Sequence, residues 1–577
     1  MNGGKVPSHA EIAERLCAPG QFFEIEAVEV SGISTRVWRH APRCLPDVLE
    51  QGSSNGGDRD FIRLDEERLT HAGHYAQVTA LATRLRDELG VAKGDHVAIA
   101  MRNLPEWSVA FFAATMIGAV AVPLNAMWNG AELAFGIADS RASVLIADGE
   151  RLERLAPHVA GFRHVKIIGT RLEDRKGPGG LPAGITSFAA LTDGVRATRP
   201  EVDIAPDDHA TIFYTSGTTG GPKGVLGTHR NICTNLISLM YGGAEQMLRA
   251  GTEPGSVASA PPVVLVPVPL FHATGCHSVL LAQAFFGGTL VFMRKWDPER
   301  ALDLIEEHGV TLLPGVPSMV WDLVNSPTLQ NRDLHTLTNL GAGGAASPGE
   351  LVRRVGELLP GRTASAGYGL TETSSMTASN GGADYLLCPE SVGVPIPVCH
   401  VRIVDGAGTD LPSGEPGEIW IKGPNVVPGY WHRPEETAST FTEGWLHSGD
   451  IGRIDEQGRL FIVDRAKDII IRGGENISSL EVESALYQHP AVLEAAVFAA
   501  PHATLGEEVA AVLRLRPGHA VTPAELRDFL LGPLAPFKVP AHVWFTEGPM
   551  PRSPSGKLLK RELRRRFVAE PATADGA

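Results

Sequence analysis

The chain has 577 residues, of which 43% are hydrophobic and 20% are charged, and this composition is typical of a globular protein. At roughly 100–200 residues per domain, this length predicts two to four structural units. The formal net charge of −15 argues against a nucleic-acid-binding protein. A bound polyphosphate would instead need local basic groups and a metal ion.

The cysteines and the N-terminal segment favour a cytoplasmic protein. The cysteines are scattered and form no C-x-x-C pair, so we predict neither a zinc site nor a disulfide framework. The N-terminus lacks the apolar core of a signal peptide. We find no apolar run long enough to span a membrane, which leaves only loose peripheral membrane contact open.

Helices and short apolar strands alternate from about Phe61, whereas residues 1–60 have a mixed, loop-rich pattern that includes the polar run Gly52–Asp58. This alternation predicts largely parallel sheets covered by helices. Residues 171–207 are rich in glycine, proline and charge and predict a surface loop. The predicted helices are His74–Leu89 and Trp107–Gly118, and the predicted strands are Val97–Ala100, Val120–Leu124, Val144–Ala147 and Val165–Ile168.

Residues 211–225 read TIFYTSGTTGGPKGV, an apolar strand followed by a loop of hydroxyls and glycines that ends in Lys223. Glycines allow backbone N–H groups to approach a ligand closely, and concave arrays of such groups bind phosphate. The spacing is not that of the G-x-x-x-x-G-K-[ST] loop, because a proline precedes the lysine and a glycine follows it. We therefore predict a polyphosphate-binding loop of another kind.

Two shorter motifs follow in the chain. In AGYGLTET (366–373), Tyr368 offers a flat face for a purine ring, Thr371 a hydroxyl for a phosphate, and Glu372 an oxygen ligand for Mg²⁺. In WLHSGD (445–450), Asp450 at a predicted strand end is suited to accept both hydroxyls of a ribose. Taken alone, each motif is also compatible with an ordinary turn.

The pattern restarts near residue 465 with a strand, a helix, a second strand and a basic helix. These are Asp468–Arg472, Ser479–His489, Val492–Ala500 and Lys557–Arg566. We predict an α/β protein with a large N-terminal domain of helix-covered sheets (1–465) and a small α+β C-terminal domain (466–577). Arg465 and Lys467 lie at the junction, where charged groups are expected to pair or bind ligand. The turn before Lys557 presents that lysine at its tip.

Taken together, these motifs resemble the adenylate-forming superfamily of acyl-CoA synthetases, luciferases and peptide-synthetase adenylation domains. The match runs in order over about residues 60–567. It includes YTSGTTGGPKG, PLFHATG (269–275), GGA (343–345), YGLTET, GEIWIKGPNVVPGYW (417–431), WLHSGD, DRAKDIIIRGGENIS (464–478) and PSGKLLKREL (554–563).

The resemblance implies a two-step reaction with ATP, Mg²⁺ and coenzyme A. A carboxylate attacks the α-phosphate of ATP to give an acyl-adenylate and pyrophosphate, and a thiol then displaces AMP. Phosphate charge must be neutralised and the reactants held in line. By matched position, Lys557 would bridge the carboxylate and the α-phosphate, Thr371 would contact the α-phosphate, and Glu372 would bind Mg²⁺.

The remaining nucleotide contacts follow from the same matched positions. The loop Thr215, Ser216, Gly217, Thr218, Thr219, Gly220 and Lys223 would hold the β- and γ-phosphates. Tyr368 and Gly369, with Gly343, Gly344 and Ala345, would form the adenine pocket. Asp450, Ile462 and Arg465 would hold the ribose.

The resemblance also implies that the C-terminal domain is mobile. It would rotate about Lys467 between the two half-reactions, withdrawing Lys557 and bringing Gly473, Gly474 and Asn476 to the pantetheine arm of CoA. Domain motions of this kind can assemble a site in stages. Family members are often dimers, so a homodimer stays open.

The residues of the predicted acid pocket indicate the class of acid. His272 stands where peptide-synthetase domains carry an aspartate for the substrate ammonium, so we do not expect an α-amino acid. The predicted acid pocket is small or apolar without an obvious cation, which suits a monocarboxylic acid. Its residues are His272, Thr274, Gly275, Ser278, Val316, Pro317 and Gly343. The motif wording favours a medium- or long-chain fatty acid. Aryl, cinnamate or alicyclic acids stay open, as does transfer of the acyl group to an amine or a carrier protein.

Overall fold

The computed structural model describes residues 6–174, 184–194, 197–216, 221–256, 260–344, 349–553 and 556–568. Elements are numbered in chain order. The helices are α1 His9–Leu16, α2 Leu45–Gly56, α3 His71–Asp87, α4 Pro105–Met116, α5 Gly130–Asp139, α6 Gly149–Leu155, α7 Phe188–Thr192, α8 His229–Arg249, α9 Leu281–Phe286, α10 Pro298–His308, α11 Pro317–Val324, α12 Gly349–Leu358, α13 Gly382–Leu387, α14 Pro434–Thr440, α15 Ser479–Tyr487, α16 Pro523–Leu530 and α17 Lys560–Phe567. A π-helix spans Thr274–Leu280, and short 3₁₀ turns include Thr371–Thr373.

The strands form a hairpin and three larger sheets within the described ranges. The hairpin is β1 Ile25–Val30 and β2 Ile33–Trp38. An eight-stranded sheet contains β5 His96–Ala100, β6 Val120–Pro123, β7 Val144–Asp148, β8 Lys166–Thr170, β9 Thr186–Ser187, β10 His209–Ser216, β11 Pro222–Thr228 and β21 Gly429–Tyr430.

The other two sheets differ in size. The fourteen-stranded sheet contains β3 Asp60–Leu64, β4 Glu67–Thr70, β12 Val263–Val266, β13 Thr289–Phe292, β14 Leu312–Gly315, β15 Asn339–Gly343, β16 Thr363–Tyr368, β17 Ala378–Gly381, β18 Ser391–Pro395, β19 His400–Val404, β20 Gly417–Lys422, β22 Phe441–Thr442, β23 Trp445–Ile454 and β24 Leu460–Arg465. The five-stranded sheet contains β25 Ile470–Arg472, β26 Glu475–Ile477, β27 Val492–His502, β28 Gly506–Leu515 and β29 His542–Phe545.

The main core lies between the two large sheets. Helix α4 is buried at every position except Glu106, as expected for a helix that is hydrophobic all round. Its side chains share one cluster with Val97 and Ile99 of β5 and with Val264 and Val266 of β12. The predicted α/β architecture, with a large N-terminal and a smaller C-terminal domain, is confirmed.

The prediction of largely parallel sheets holds for only part of the molecule. Strands β5–β8 are parallel, as are β3 and β12–β16, but β16–β20, β23 and β24 pair antiparallel. Beyond β16 most strands follow one another without a long helix between them, so the helix crossovers that parallel strands need are largely missing there.

Several local predictions were wrong. Residues 1–60 contain α1, the β1–β2 hairpin and α2, and the run Gly52–Asp58 begins inside α2 rather than in a loop. Within 171–207, the described residues include β9 and α7. Strand β25 begins at Ile470, because Asp468 and Ile469 donate backbone hydrogen bonds to the Arg465 carbonyl.

The basic C-terminal helix is α17, which begins at Lys560, so Lys557 precedes it. No described helix is both long and apolar enough to cross a bilayer.

Candidate active site

The described part of the phosphate motif lies on two antiparallel strands, β10 and β11, so the residues predicted at the two ends of the loop belong to strands. Thr215 on β10 pairs with Lys223 on β11, so the lysine lies on the returning strand. Of the residues between them, Gly217, Thr218, Thr219 and Gly220 lie outside the described residues, as does the Ser216 side chain. Lys223 Nζ lies 2.9 Å from Glu436 Oε2 and 5.6 Å from the centre of the Tyr430 ring.

Glu372 lies on the 3₁₀ turn that follows β16. The Tyr430 hydroxyl donates to its Oε1 at 2.9 Å, and burial together with this carboxylate raises the pKa of Tyr430. The chain then folds back sharply through Ser374 and Ser375, with φ of 53° and 107°. Gly369 is required by this fold-back, because a Cβ there would lie 1.7 Å from the Ser375 carbonyl oxygen. Positive φ at two adjacent serines is uncommon and marks a locally strained segment.

Asp450 lies inside β23, not at a strand end as predicted. The strand continues past it to Ile454 because it pairs on both sides, with β20 and β24. Asp450 is buried, accepts the Tyr368 hydroxyl hydrogen bond at 2.9 Å, and lies 3.2 Å from Arg465 Nε. Burial raises the pKa of Asp450, and Arg465 and Tyr368 oppose this shift. Ile462 on β24 packs in the same hydrophobic cluster as Tyr368.

Lys557 joins this group from the C-terminal domain. The Gly556 carbonyl accepts hydrogen bonds from Arg552 Nη1 at 2.8 Å and from the Ser318 hydroxyl at 3.3 Å, and Gly556 itself has a φ of 84°. Lys557 Cε then lies beside Gly344, which also faces Thr274 and Val316.

Lys557 is solvent-exposed, but many protein atoms lie around its amine, as they do in an open cleft. This burial, with Arg465 and Lys467, lowers the pKa of Lys557 to about 8, although Asp450 and Glu372 act in the opposite direction.

The predicted acid pocket borders Lys557. Burial, and to a smaller extent Lys557, lowers the pKa of His272 to about 4, so this imidazole is neutral at pH 7. Its Nε2 is buried and has no hydrogen-bond partner among the described residues. Ser278 on the π-helix shares a 2.7 Å hydrogen bond with Ser375. π-Helical turns occur frequently at functional sites.

Other residues of the predicted pocket allow close packing or lie at the ends of helices and strands. A Cβ on Gly275 would lie 2.3 Å from the Pro269 carbonyl oxygen, so this glycine permits close packing of the π-helix. Val316 precedes α11, which Pro317 begins, and both are buried. Gly343 ends β15 beside Gly367 of β16, and Ala345 lies outside the described residues.

The predicted CoA residues are apart from this group. Gly473 and Gly474, at φ 59° and 94°, form the turn of the β25–β26 hairpin, and both are solvent-exposed, as is Asn476. Positive φ at both turn residues is typical of tight hairpins. The structure therefore brings Lys557, Glu372, Asp450, Arg465 and Lys467 together, with the hairpin turned to solvent.

Comparison with known families decides the assignment. The family model "AMP-binding enzyme" matches residues 49–431, and "AMP-binding enzyme C-terminal domain" matches residues 481–557. The chain belongs to the AMP-binding enzyme family. The prediction of an AMP-forming acid–thiol ligase of the adenylate-forming superfamily is confirmed.

The relatives of this AMP-binding enzyme are named for different acids. It is 38% identical to a feruloyl-CoA synthase from Amycolatopsis sp, over 88% of this chain and 95% of the relative. It is 32% identical to a long-chain-fatty-acid–CoA ligase from Bacillus subtilis, over 90% and 94%.

Solved structures agree with the fold. The o-succinylbenzoate CoA synthetase MenE from Bacillus subtilis, bound to its acyl-adenylate, has a TM-score of 0.74 at 30% identity, over 90% of this chain and 97% of that one. ATP-bound MatB from Rhodopseudomonas palustris has a TM-score of 0.78 at 29% identity, over 91% and 99%. The amide bond synthetase McbA from Marinactinospora thermotolerans has a TM-score of 0.77 at 27% identity, over 91% and 100%.

Sequence reasoning missed several residues of this AMP-binding enzyme's site. Asn235 on α8 donates to the His277 carbonyl at 3.2 Å and accepts from Met376 N–H at 3.0 Å, joining the π-helix to the segment after Glu372. His277 Nδ1 lies 3.2 Å from the Ser374 carbonyl oxygen. Tyr430 is the second-last residue of the motif GEIWIKGPNVVPGYW, so its aromatic ring was a usable signal, whereas Asn235 and Glu436 lie outside the quoted motifs.

Proposed function

We propose that this enzyme activates an aromatic monocarboxylic acid of the hydroxycinnamic type with ATP and transfers the acyl group to coenzyme A. The observation that carries the reaction is the position of Lys557, beside Asp450, Arg465 and Glu372 and at the edge of the predicted acid pocket. The aromatic class is supported by the identity to feruloyl-CoA synthase, 38% against 32% for the fatty-acid ligase.

In the first step, a carboxylate oxygen attacks the α-phosphorus and pyrophosphate leaves. Lys557 holds the carboxylate and an α-phosphate oxygen together, and Thr371 donates to the same phosphate. Lys223 and the Thr215–Gly220 segment hold the β- and γ-phosphates. These groups act by neutralising charge and fixing in-line geometry, which are the main sources of catalysis in phosphate chemistry.

The nucleoside is held by the Asp450 group. Asp450, oriented by Tyr368 and Arg465, accepts the ribose hydroxyls. Tyr368 and Gly369, with Gly343–Ala345, border the adenine, and Ile462 packs below the ribose.

A single carboxylate, Glu372, is proposed to hold Mg²⁺. No cluster of three potential metal ligands occurs among the described residues. Mg²⁺ usually binds through one or two carboxylates together with substrate phosphates and water, so this donor set fits. When bound, the ion would neutralise phosphate charge.

In the second step, the C-terminal domain rotates about Lys467. Gly473, Gly474 and Asn476, which face solvent in this arrangement, would then line the path of the pantetheine arm. The thiol sulfur attacks the acyl carbonyl, and AMP leaves with the electron pair of the anhydride bond.

The electrostatics of the pocket favour a monocarboxylic acid. His272 is neutral at pH 7 and supplies no charge to a second carboxylate, so such a group would be buried unpaired. We propose that His272 positions the acid through its Nε2, which has no hydrogen-bond partner in the described part of the chain. Thr274, Gly275, Ser278, Val316 and Pro317 would surround the rest of the acid.

The second candidate substrate is a long-chain fatty acid. The Bacillus subtilis fatty-acid ligase aligns over 556 residues, and the motif wording favours this class.

The test is a comparison of kcat/KM for ferulate, 4-coumarate and fatty acids of eight to sixteen carbons, with acyl-CoA and AMP measured by mass spectrometry. We expect kcat/KM to be at least about tenfold higher for the aromatic acids, the discrimination a shaped pocket supplies. A higher value for the fatty acids would favour the second candidate. Acyl-adenylate and pyrophosphate without thioester would contradict CoA as the acceptor and would direct the search to amines, as the McbA likeness suggests.

A further inference from the structure

Lys223, the lysine of the phosphate motif, is already paired with a carboxylate. Its Nζ lies 2.9 Å from Glu436 Oε2, and the side chains are 20% and 38% exposed. Glu436 lies on α14, outside the sequence motifs from which the phosphate site was predicted. An isolated surface pair would be unremarkable, because such pairs contribute little.

The location of Glu436 is fixed by the backbone around it. Strand β21 pairs with β11 through Val225 and Tyr430, and Trp431 N–H donates to the Gly224 carbonyl at 2.8 Å. Tyr430 N–H donates to Thr437 Oγ1 on α14 at 3.0 Å. The helix that carries Glu436 is therefore tied directly to the strand that carries Lys223.

Tyr430 connects this pair to the proposed magnesium ligand. Its ring lies 5.6 Å from Lys223 Nζ, and its hydroxyl donates to Glu372 at 2.9 Å. Burial raises the pKa of Tyr430, and the nearby charges of Glu372 and Glu436 add to this shift, so both carboxylates lie near the Tyr430 hydroxyl. Glu436 thus belongs to the phosphate end of the site.

The carboxylate itself is incompletely satisfied. Glu436 Oε2 is buried and makes no hydrogen bond of regular geometry within the described residues, so the charge of Lys223 is its main compensation. A buried oxygen without a regular hydrogen bond carries a free-energy cost. A partner held in this way can be exchanged readily for a phosphate oxygen.

We propose that Glu436 is a positioning residue that occupies Lys223 in the free enzyme and is displaced by the triphosphate of ATP. This inference rests on the proposed role of Lys223. Glu436 acts as a stand-in for a phosphate oxygen, so ATP binding costs the loss of the Lys223–Glu436 pair. After adenylation, the returning carboxylate competes with pyrophosphate for Lys223 and repels it, which speeds pyrophosphate release.

The test compares Glu436→Gln with Glu435→Gln. Glu435 lies on the same helix, is exposed, and has no ion pair within the described ranges, so it controls for loss of one negative charge. We expect Glu436→Gln to lower the KM for ATP and the inhibition constant of pyrophosphate by about two- to fivefold each, the range expected for loss of one competing pair. In Glu435→Gln, neither of these two constants should change. In both variants, the KM for the acid should stay at its unmodified value.

A merely structural role for Glu436 would alter the KM for the acid and the thermal unfolding midpoint together with the KM for ATP. An unchanged or raised KM for ATP in Glu436→Gln would overturn the inference, since Glu436 would then be neutral or would orient Lys223 for ATP. Direct calorimetric titration of both variants with pyrophosphate distinguishes a failure of this inference from a failure of the proposed function. If no acyl-CoA forms at all, tighter pyrophosphate binding by Glu436→Gln would still support the inference, and equal binding would overturn it.

Discussion

Lys557 is placed by contacts that belong to two domains. Its own turn docks through Gly556 on Ser318 and Arg552, while its side chain lies among Arg465, Lys467, Asp450 and Glu372. A like-charged and partly enclosed environment lowers the pKa of a lysine, because it disfavours the ammonium form. The residue proposed to hold two anionic reactants is therefore close to losing its proton near physiological pH.

The pKa of Lys557 leads to a pH prediction. The ammonium form dominates below about pH 8 and the neutral amine above it. Because adenylation is proposed to need the ammonium, kcat/KM for ATP in pyrophosphate exchange should fall as the pH rises through about 8, and this limb should be absent in Lys557→Arg. Bound ATP brings negative charge, so the corresponding limb in kcat should lie at higher pH. A kcat/KM that rises through the same range would contradict the proposed role.

For individual residues, the sequence was informative where a motif pointed to one particular side chain. Lys557, Glu372, Asp450 and Arg465 were all singled out, and the structure places them together. Glu436, Asn235 and the Ser374–Ser375 strain were not predicted, because their significance depends on contacts between segments distant in sequence.

Helix α2 shows how an element can be hidden from its sequence pattern. The run of Gly, Ser and Asn after Glu50 predicts a loop, since these residues favour turns over helices. The helix forms because Gly52 packs against α9, where a Cβ would lie 1.3 Å from the Ala284 carbonyl oxygen. Tertiary packing therefore overrides the local propensity, and the same glycine that suggests a turn is required for the contact.

Gly52→Ala should destabilise the protein by about 3 kcal/mol, at the upper end of the usual cost of overpacking, because backbone rather than a flexible side chain blocks the new methyl group. Thermal unfolding followed by circular dichroism measures the effect. Ser54→Ala, an exposed change on the same helix, is the matched control and should leave the midpoint nearly unchanged. Equal midpoints for the two variants would show that α2 and α9 can separate at little cost.

Trp321 lies at the centre of one group of contacts between the two domains and packs against the Tyr487 ring. Trp321 on α11 donates to the Leu493 carbonyl at 3.0 Å, and the Arg516 guanidinium lies 5.6 Å from the centre of its ring. Arg516 also donates to Asn325 at 2.6 Å. These contacts hold the C-terminal domain where Lys557 reaches the site, and the proposed rotation about Lys467 would break them. The amino-acid pattern predicted two domains near the observed change of sheet, but not their mutual orientation.

Trp321→Leu should therefore slow adenylation without slowing thioester formation. Loss of one hydrogen bond and one cation–π contact, about 1–2 kcal/mol together, corresponds to a decrease of roughly five- to thirtyfold in the population of this arrangement. Pyrophosphate exchange measures adenylation, and CoA transfer from pre-formed acyl-adenylate measures the second step. Equal slowing of both steps would indicate general damage to the fold rather than a shift between arrangements.

The most direct test of the whole account is to separate the half-reactions of Lys557→Ala. With ATP, Mg²⁺ and the preferred acid, we expect the variant to release no measurable pyrophosphate, because the group that joins the carboxylate to the α-phosphate is absent. With pre-formed acyl-adenylate and CoA, it should yield acyl-CoA at a rate close to that of the unmodified enzyme, since Lys557 is withdrawn for that step. Adenylation at the unmodified rate, or loss of both half-reactions in a correctly folded variant, would contradict the account.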